Sequence, residues 1–426
     1  MHLLLVAHEF PPSTSPQAMR WDHLTAEMVK LGHRVTVLAP EDRPVDDNRG
    51  RSIVRTDRGP VHRFVLRVSK FRRRESGLHA NAGLPATMRG LNWRGRSVFV
   101  LARLMGALSF PDLRRHWNRG ARAKLLELIA LDRPDVVITS HEPASVLELG
   151  FLAKSAGIPW VADLGDPIVA PYTPWYWRAT ARALEARACA GADLIVTTTV
   201  SLGQYLARKH DLPSGRMMVL RQGFNCHRPV LANPQPVDFD KGTLELLFTG
   251  QFYAFRDPAE LISAVGSTEG IRLTIISVSH QERLKRISAA SGGRLRLLGP
   301  MQQAQVMQWQ AAADVLVNMG NDLPHQVPGK LFEYFGATRP ILQISCLPHD
   351  EGGSLVREYR RGWVVPNRAM DISRQLASIK DAWMRGRLDE GLDLKNAIAE
   401  FAWENLAKRL EKRLDLVAGR AAVATQ

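Results

Sequence analysis

Cysteine is scarce. The 426 residues hold three, Cys189, Cys226 and Cys346, an odd number with no metal-ligand spacing. That argues against a disulfide framework or a zinc site, and it fits a reducing compartment. No stretch approaches the ~20 apolar residues that span a bilayer; the longest candidate, Val98–Phe110, is interrupted by Arg103. Leu3–Ala7 is too short for the apolar region of a signal peptide and runs straight into His8-Glu9, so a cytoplasmic protein is expected. No GxGxxG follows the first apolar run, which argues against a dinucleotide-dependent oxidoreductase. Acid is scarce in one window. Between Arg49 and Arg122 eighteen Arg or Lys face three acids, Asp57, Glu75 and Asp112, an excess as large as the formal +15 of the whole chain.

Such a window is either a solvated basic surface or a docking face for an anionic partner. Arg72-Arg73-Arg74, followed by Trp93, Arg94, Arg96 and an apolar run, favours an anionic membrane surface over nucleic acid, because Trp and Arg suit the lipid interface. Gly77–Gly90, rich in Gly, Ala and Asn, reads as a loop.

The remainder alternates short apolar runs with helical patterns, which predicts an α/β fold with parallel sheets. His2–Ala7, Arg34–Leu38, Asp135–Thr139, Trp160–Ala162, Leu194–Thr198 and Met217–Leu220 read as strands, with helices between them. Gly32 follows the first helix at a position that suits a left-handed residue. Residues 221–240 read as a linker. A second series follows: strands Leu244–Thr249, Arg272–Ser277, Arg294–Leu298, Asp314–Asn318, Ile341–Ile344 and Trp363–Val365, with a helix reaching Arg361. A long helix is expected from Asp389 to Val417, its stripe being Leu406, Leu410, Leu414 and Val417.

One stretch carries chemistry by its form. His325-Gln-Val-Pro-Gly-Lys-Leu-Phe-Glu333 hands a loop over to a helix. A helix start presents unpaired N–H groups and a positive dipole end, which suits a phosphate. Glu333, one turn in and three residues from Lys330, can accept hydrogen bonds from a ribose.

Together these residues resemble the family-4 retaining glycosyltransferases. The resemblance runs along almost the whole chain, through Val6-Ala-His-Glu-Phe-Pro-Pro12, Leu31–Leu38, Asp135–Ser140, Trp160–Asp163, Arg221–Asn225, Phe248-Thr-Gly250, Val327–Tyr334, Gly362–Pro366 and Phe401–Glu404. It implies a GT-B fold of two Rossmann-like domains facing a cleft, with the C-terminal helix crossing back to the N-terminal domain. The corresponding boundaries are 1–222 for an acceptor domain, 223–398 for a nucleotide-sugar domain and 399–420 for the returning helix. It implies no cofactor and no metal, a nucleotide-diphosphate sugar (a UDP-sugar expected) as substrate, and a glycan or lipid-linked acceptor. Donor binding falls to Gly250, Gln251, His325, Gly329, Leu331 and Glu333. Arg256, Lys330 and His141 take catalytic roles, and Ser13, Arg20, Asp163 and Asp166 lie on the acceptor side.

Three positions depart from the family pattern. Eight residues before Glu333 stands His325 where the family has Glu, so the contact to the transferred sugar changes. Gln251 replaces a frequent Arg, leaving Arg256, with Lys330, to neutralise the diphosphate. Ser13-Thr-Ser15 replaces a glycine pair. Two other readings remain at this level: a degenerate scaffold without turnover, which His325 and Gln251 keep open, and a sugar-nucleotide epimerase, which would form product without an added acceptor.

Overall fold

The structure, a computed structural model, describes residues 1–41, 49–59, 110–170, 173–226, 237–253, 255–277 and 281–424. Arg72–Arg74, Gly77–Gly90, Trp93, Arg94, Arg96 and residues 98–109 lie outside the described residues, as does the middle of the expected linker. The chain forms two compact units. Unit 1 comprises Met1–Thr197, Gly203–Val219 and Ala407–Gln426, and unit 2 comprises Thr198–Leu202 and Leu220–Leu406.

Unit 1 runs β1 (His2–Ala7), α1 (Pro16–Lys30), β2 (Arg34–Pro40), β3 (Ser52–Thr56), α2 (Asn118–Leu131), β4 (Val136–Ser140), α3 (Leu147–Ser155), β5 (Trp160–Leu164), α4 (Arg178–Gly191), β6 (Leu194–Thr197), α5 (Val200–His210) and β7 (Met217–Val219). The first three residues of α5 group with unit 2. The strands form one parallel sheet in the order β3-β2-β1-β4-β5-β6-β7. β1 and β4 are buried along their whole length, as expected of strands covered on both faces. β3 was not expected. Its sequence, Ser-Ile-Val-Arg-Thr, lies at the sheet edge with no fully buried residue, so it lacks the apolar run that marks its neighbours.

Unit 2 runs β8 (Leu244–Thr249), α6 (Ala259–Gly266), β9 (Ile271–Ile276), α7 (Gln281–Ala290), β10 (Leu295–Leu298), α8 (Gln303–Ala312), β11 (Val315–Met319), α9 (Lys330–Ala337), β12 (Ile341–Ser345), α10 (Glu351–Glu358), β13 (Gly362–Pro366) and α11 (Ala369–Met384). Its parallel sheet has the order β10-β9-β8-β11-β12-β13. β13 starts on a residue that must be glycine. A Cβ on Gly362 would lie 1.9 Å from the Ile341 carbonyl oxygen, and its φ is +153°.

Helix α12 spans Trp403–Ala424. It therefore begins fourteen residues later than expected, and residues 385–402 are irregular apart from a short turn at Ala399–Phe401. Gly386 and Gly391, both at positive φ, break any helical continuation there. Helix α11, in front of them, was not anticipated, and α10 ends at Glu358 rather than reaching Arg361. The stripe Leu406, Leu410, Leu414 and Val417 is buried as expected. From Ala407 onward α12 belongs to unit 1, where His33 Nε2 and Glu411 Oε1 are 2.8 Å apart and Arg413 Nη2 donates to the Gly215 carbonyl at 2.7 Å.

In each sheet the chain reverses its direction of growth once. The reversals fall between β1 and β4 and between β8 and β11. Open parallel sheets bind ligands outside the carboxyl ends of the strands at such switch points.

Candidate active site

The carboxyl ends of β8 and β11 carry most of the residues expected to hold a donor. β8 ends in Thr249, whose amide donates to the buried Tyr334 hydroxyl of α9 at 2.9 Å. Gly250 follows with φ +147°, its amide donating to the Ile276 carbonyl at 3.1 Å. A Cβ placed on Gly250 would lie 3.9 Å from Lys330 Cγ, so this turn and the start of α9 are neighbours. The loop then closes on itself. Tyr253 and Arg256 form a β-bridge, and the Arg256 amide donates to the Tyr253 carbonyl at 2.9 Å.

That turn drives Arg256 inward, leaving it 9% exposed. Its Nε donates to Asn321 Oδ1 at 2.9 Å, Nη2 reaches the same oxygen, and Nη1 donates to the Gln251 carbonyl at 3.3 Å. Among the described residues no carboxylate pairs with it. Burial pulls Arg256 below its ordinary pKa, with Tyr253, Cys346 and Tyr334 opposing the shift. A guanidinium nevertheless stays protonated at neutral pH. A buried cation without a counter-charge is costly, and an anionic ligand relieves that cost.

Helix α9 supplies the second cationic element. The Leu331 amide donates to the Pro328 carbonyl at 3.1 Å and the Phe332 amide to Gly329 at 3.2 Å. The amides of Gly329 and Lys330 have no protein acceptor among the described residues. Leu331 differs from expectation: its amide is engaged and its side chain is fully buried in the core of unit 2, so it supports the helix from behind. Lys330 Nζ and Glu333 Oε2 lie 2.6 Å apart, both partly exposed. His325 is half-buried with φ +67°, and its carbonyl accepts from Thr199 Oγ1 at 2.9 Å. Gln251 is exposed and its Oε1 accepts from the Tyr253 hydroxyl at 3.0 Å.

At the β1/β4 switch of unit 1 the expected acceptor-side residues divide. Arg20 and Asp163 are both completely buried and joined by a 2.7 Å ion pair. Asp163 Oδ2 also accepts from Trp21 Nε1 at 2.7 Å and from Gln17 Nε2 at 2.5 Å. A carboxylate so enclosed ties α1 to the end of β5; contact with an acceptor is not what this geometry offers. His141 is similarly enclosed, at 4% exposure, and its Nδ1 has no partner among the described residues. Burial lowers its pKa, against the charges of Glu142, Asp112 and Asp163, which raise it.

Ser13 and Asp166 are partly exposed. Ser13 Oγ donates to Glu9 Oε2 at 2.8 Å. Burial pushes the Glu9 carboxyl up, but the hydrogen bond with His8, the Arg114 charge and Ser13 together hold it down to about 2. Asp166 shares a hydrogen bond with Glu142, a residue whose role the sequence did not signal. Crowding of Glu142 by the protein and the Asp166 charge raise its carboxyl from 4.5 to about 7, with His141 opposing. Because the folded value is the higher one, the wild type should lose stability as pH rises from about 4.5 through 7. The outer face of Glu142 is open to solvent, which limits the size of the effect. Glu142→Gln should remove that loss. Melting curves at pH 5 and pH 8 check this, the variant gaining on the wild type only at the higher pH.

Sequence reading also missed Asn321, Gln326 and Gln17. Only the fold brings Asn321 to Arg256, Gln17 to Asp163 and Gln326 to the Asn321 amide.

Comparison with known proteins places these observations. Residues 17–223 match the family described as glycosyl transferase 4-like domain. Comparison with curated protein sequences gave no match. Solved structures share the fold over nearly the whole chain. A glycosyltransferase from Rickettsia africae ESF-5 superposes with a TM-score of 0.64 at 13% identity, covering 98% of each chain. The E. coli structure described as trehalose-6-phosphate bound with UDP-2-fluoro glucose has a TM-score of 0.62 at 13% identity, covering 97% of this chain and 99% of that one. A UDP-GlcNAc 2-epimerase from Neisseria meningitidis bound to UDP-GlcNAc has a TM-score of 0.51 at 12% identity, covering 97% and 99%. The fold is GT-B, two Rossmann-like units each built on a parallel sheet, and residues 17–223 are similar to the glycosyl transferase 4-like domain.

Proposed function

We propose that the protein is a retaining, metal-independent hexosyltransferase that moves a sugar from a nucleotide-diphosphate donor, a UDP-sugar, to a hydroxyl of a lipid-linked or surface-polysaccharide acceptor. One observation carries the donor half of this reading: the buried, uncompensated Arg256 at the β8/β11 switch point, beside the start of α9. Arg256, Lys330 and the amides of Gly329 and Lys330 are the groups that receive the diphosphate. Glu333 accepts from the ribose, and His325 faces the transferred sugar. The anomeric C–O bond to the diphosphate breaks and a bond to the acceptor oxygen forms, while the acceptor proton leaves for a phosphate oxygen. Negative charge grows on the departing phosphate, and fixed cations and dipoles aimed there lower the barrier. UDP in the two ligand-bound structures of like fold supports the choice of base.

A membrane-linked acceptor is supported by the basic sequence window and by one surface of unit 1. Trp175 is 80% exposed and Tyr176 45% exposed, next to the exposed Arg178 and Arg182. Amphipathic rings beside cations suit a headgroup layer. The reading is of a peripheral protein at the cytoplasmic face; among the described residues no helix is long and apolar enough to cross a membrane. The epimerase alternative is kept by the shared fold. Turnover separates the two. Glycosyl transfer requires an added acceptor, whereas conversion of the nucleotide-sugar in its absence would replace this reading with the epimerase one. Glu333→Ala should weaken donor binding by about tenfold, the value of one charge-assisted hydrogen-bonding group, while His325→Ala should alter sugar preference. Unchanged steady-state constants in both variants would move the donor site elsewhere.

A further inference from the structure

The contacts of Arg256 point to a residue that prepares the donor site without belonging to it. We propose that Asn321 is a positioning residue that fixes the Arg256 guanidinium while leaving its charge uncompensated, and that the site requires an amide at this position. The inference rests on the donor reading above.

Arginine can only donate, so the Asn321 atom facing Nε and Nη2 is the carbonyl Oδ1. The amide nitrogen then points away, and Nδ2 donates to Gln326 Oε1 at 2.9 Å. Direction is therefore fixed along the whole chain, from Arg256 after β8, through Asn321 after β11, to Gln326 beside His325. The loop after β8 and two points of the loop after β11 are joined at one switch point through a single neutral side chain. The orientation of the fork is set twice over, since Nη1 is held by the Gln251 carbonyl at 3.3 Å.

Both properties of the amide matter. An aliphatic residue would leave two buried guanidinium donors without an acceptor and let the fork turn. A carboxylate would satisfy the same donors in nearly the same geometry but cancel the charge, and it would present oxygen to the oxygen of Gln326. The phosphate would then meet a neutral ion pair. Asparagine is the side chain of this size that accepts from the fork, donates to Gln326 and carries no charge.

Asn321→Asp separates position from charge, because it keeps shape and removes the free cation. Calorimetric titration compares UDP, GDP, ADP and dTDP with the matching nucleosides. For the diphosphate that the wild type binds, Asn321→Asp should lose at least tenfold in affinity, with the nucleoside unchanged within twofold and no fall in melting temperature. Asn321→Ala should lose less than the aspartate variant, since the cation survives. A merely structural role would shift diphosphate and nucleoside alike. If the wild type binds a diphosphate and Asn321→Asp binds it equally well, the assignment to Asn321 is overturned while the donor reading stands. If the wild type binds none of the four, the donor reading falls and this inference with it.

Discussion

Replacing Arg256 with alanine should abolish most of the activity, lowering kcat by about 10²–10³-fold, the range for removing one preorganised group that stabilises developing charge. Donor affinity should fall as well, by roughly 1.5–3 kcal/mol, since hydrogen bonds to a charged partner are worth about that much. The fold should tolerate the change, because the residue is a buried cation without a carboxylate partner among the described residues and its removal relieves a desolvation cost. Arg256→Lys keeps the charge but loses the fork that Asn321 and the Gln251 carbonyl orient, so it should recover part of the binding and little of kcat. Steady-state kinetics with calorimetry of the nucleoside diphosphate reads both terms. A variant that keeps kcat/KM within about threefold, well short of the expected loss, would remove Arg256 from the site.

The largest effect on stability is expected at Asp163. Asp163→Ala should cost about 3–5 kcal/mol, because it removes one partner of the fully buried 2.7 Å ion pair with Arg20. Trp21 Nε1 and Gln17 Nε2 lose an acceptor in the same step. Against a total stability of about 5–15 kcal/mol for a typical domain, that is a large share. Arg20→Met combined with Asp163→Leu should cost far less than the single alanine change, because matched apolar groups remove both charges together. Urea or thermal unfolding of the wild type and the two variants supplies the comparison. Equal losses in the single and double variants would mean that packing, and not the ion pair, sets the cost. If Asp163 contacted an acceptor, its loss would instead appear as a raised acceptor KM with stability unchanged.

These two residues show how far the sequence could be read. The alternation of apolar runs was legible because strands buried on both faces need continuous apolar side chains, as in β1 and β4. β3 escaped because an edge strand needs none. The Leu406–Val417 stripe marked the buried face of α12 but not its start, which lies at Trp403, beyond two glycines at positive φ. At the candidate site, helical spacing correctly put Lys330 and Glu333 together. Asp163 was legible as a polar residue at a strand end, but nothing in its neighbours along the chain says that Arg20 and Trp21, from another element, enclose it. Asn321 and Glu142 were missed for the same reason. Their importance lies in charged partners distant in sequence, and a contact of that kind leaves no local pattern.

Transfer of a sugar depends first on the donor site. Calorimetric titration of the wild-type protein with UDP-, GDP-, ADP- and dTDP-sugars, repeated with Arg256→Ala, tests it most directly, since a ligand that binds only the folded state also raises its melting temperature. Saturable binding of one nucleotide class, a UDP-sugar, is expected, with a loss of at least tenfold in the variant. Absence of binding to any of the four, or equal binding by wild type and variant, would contradict it.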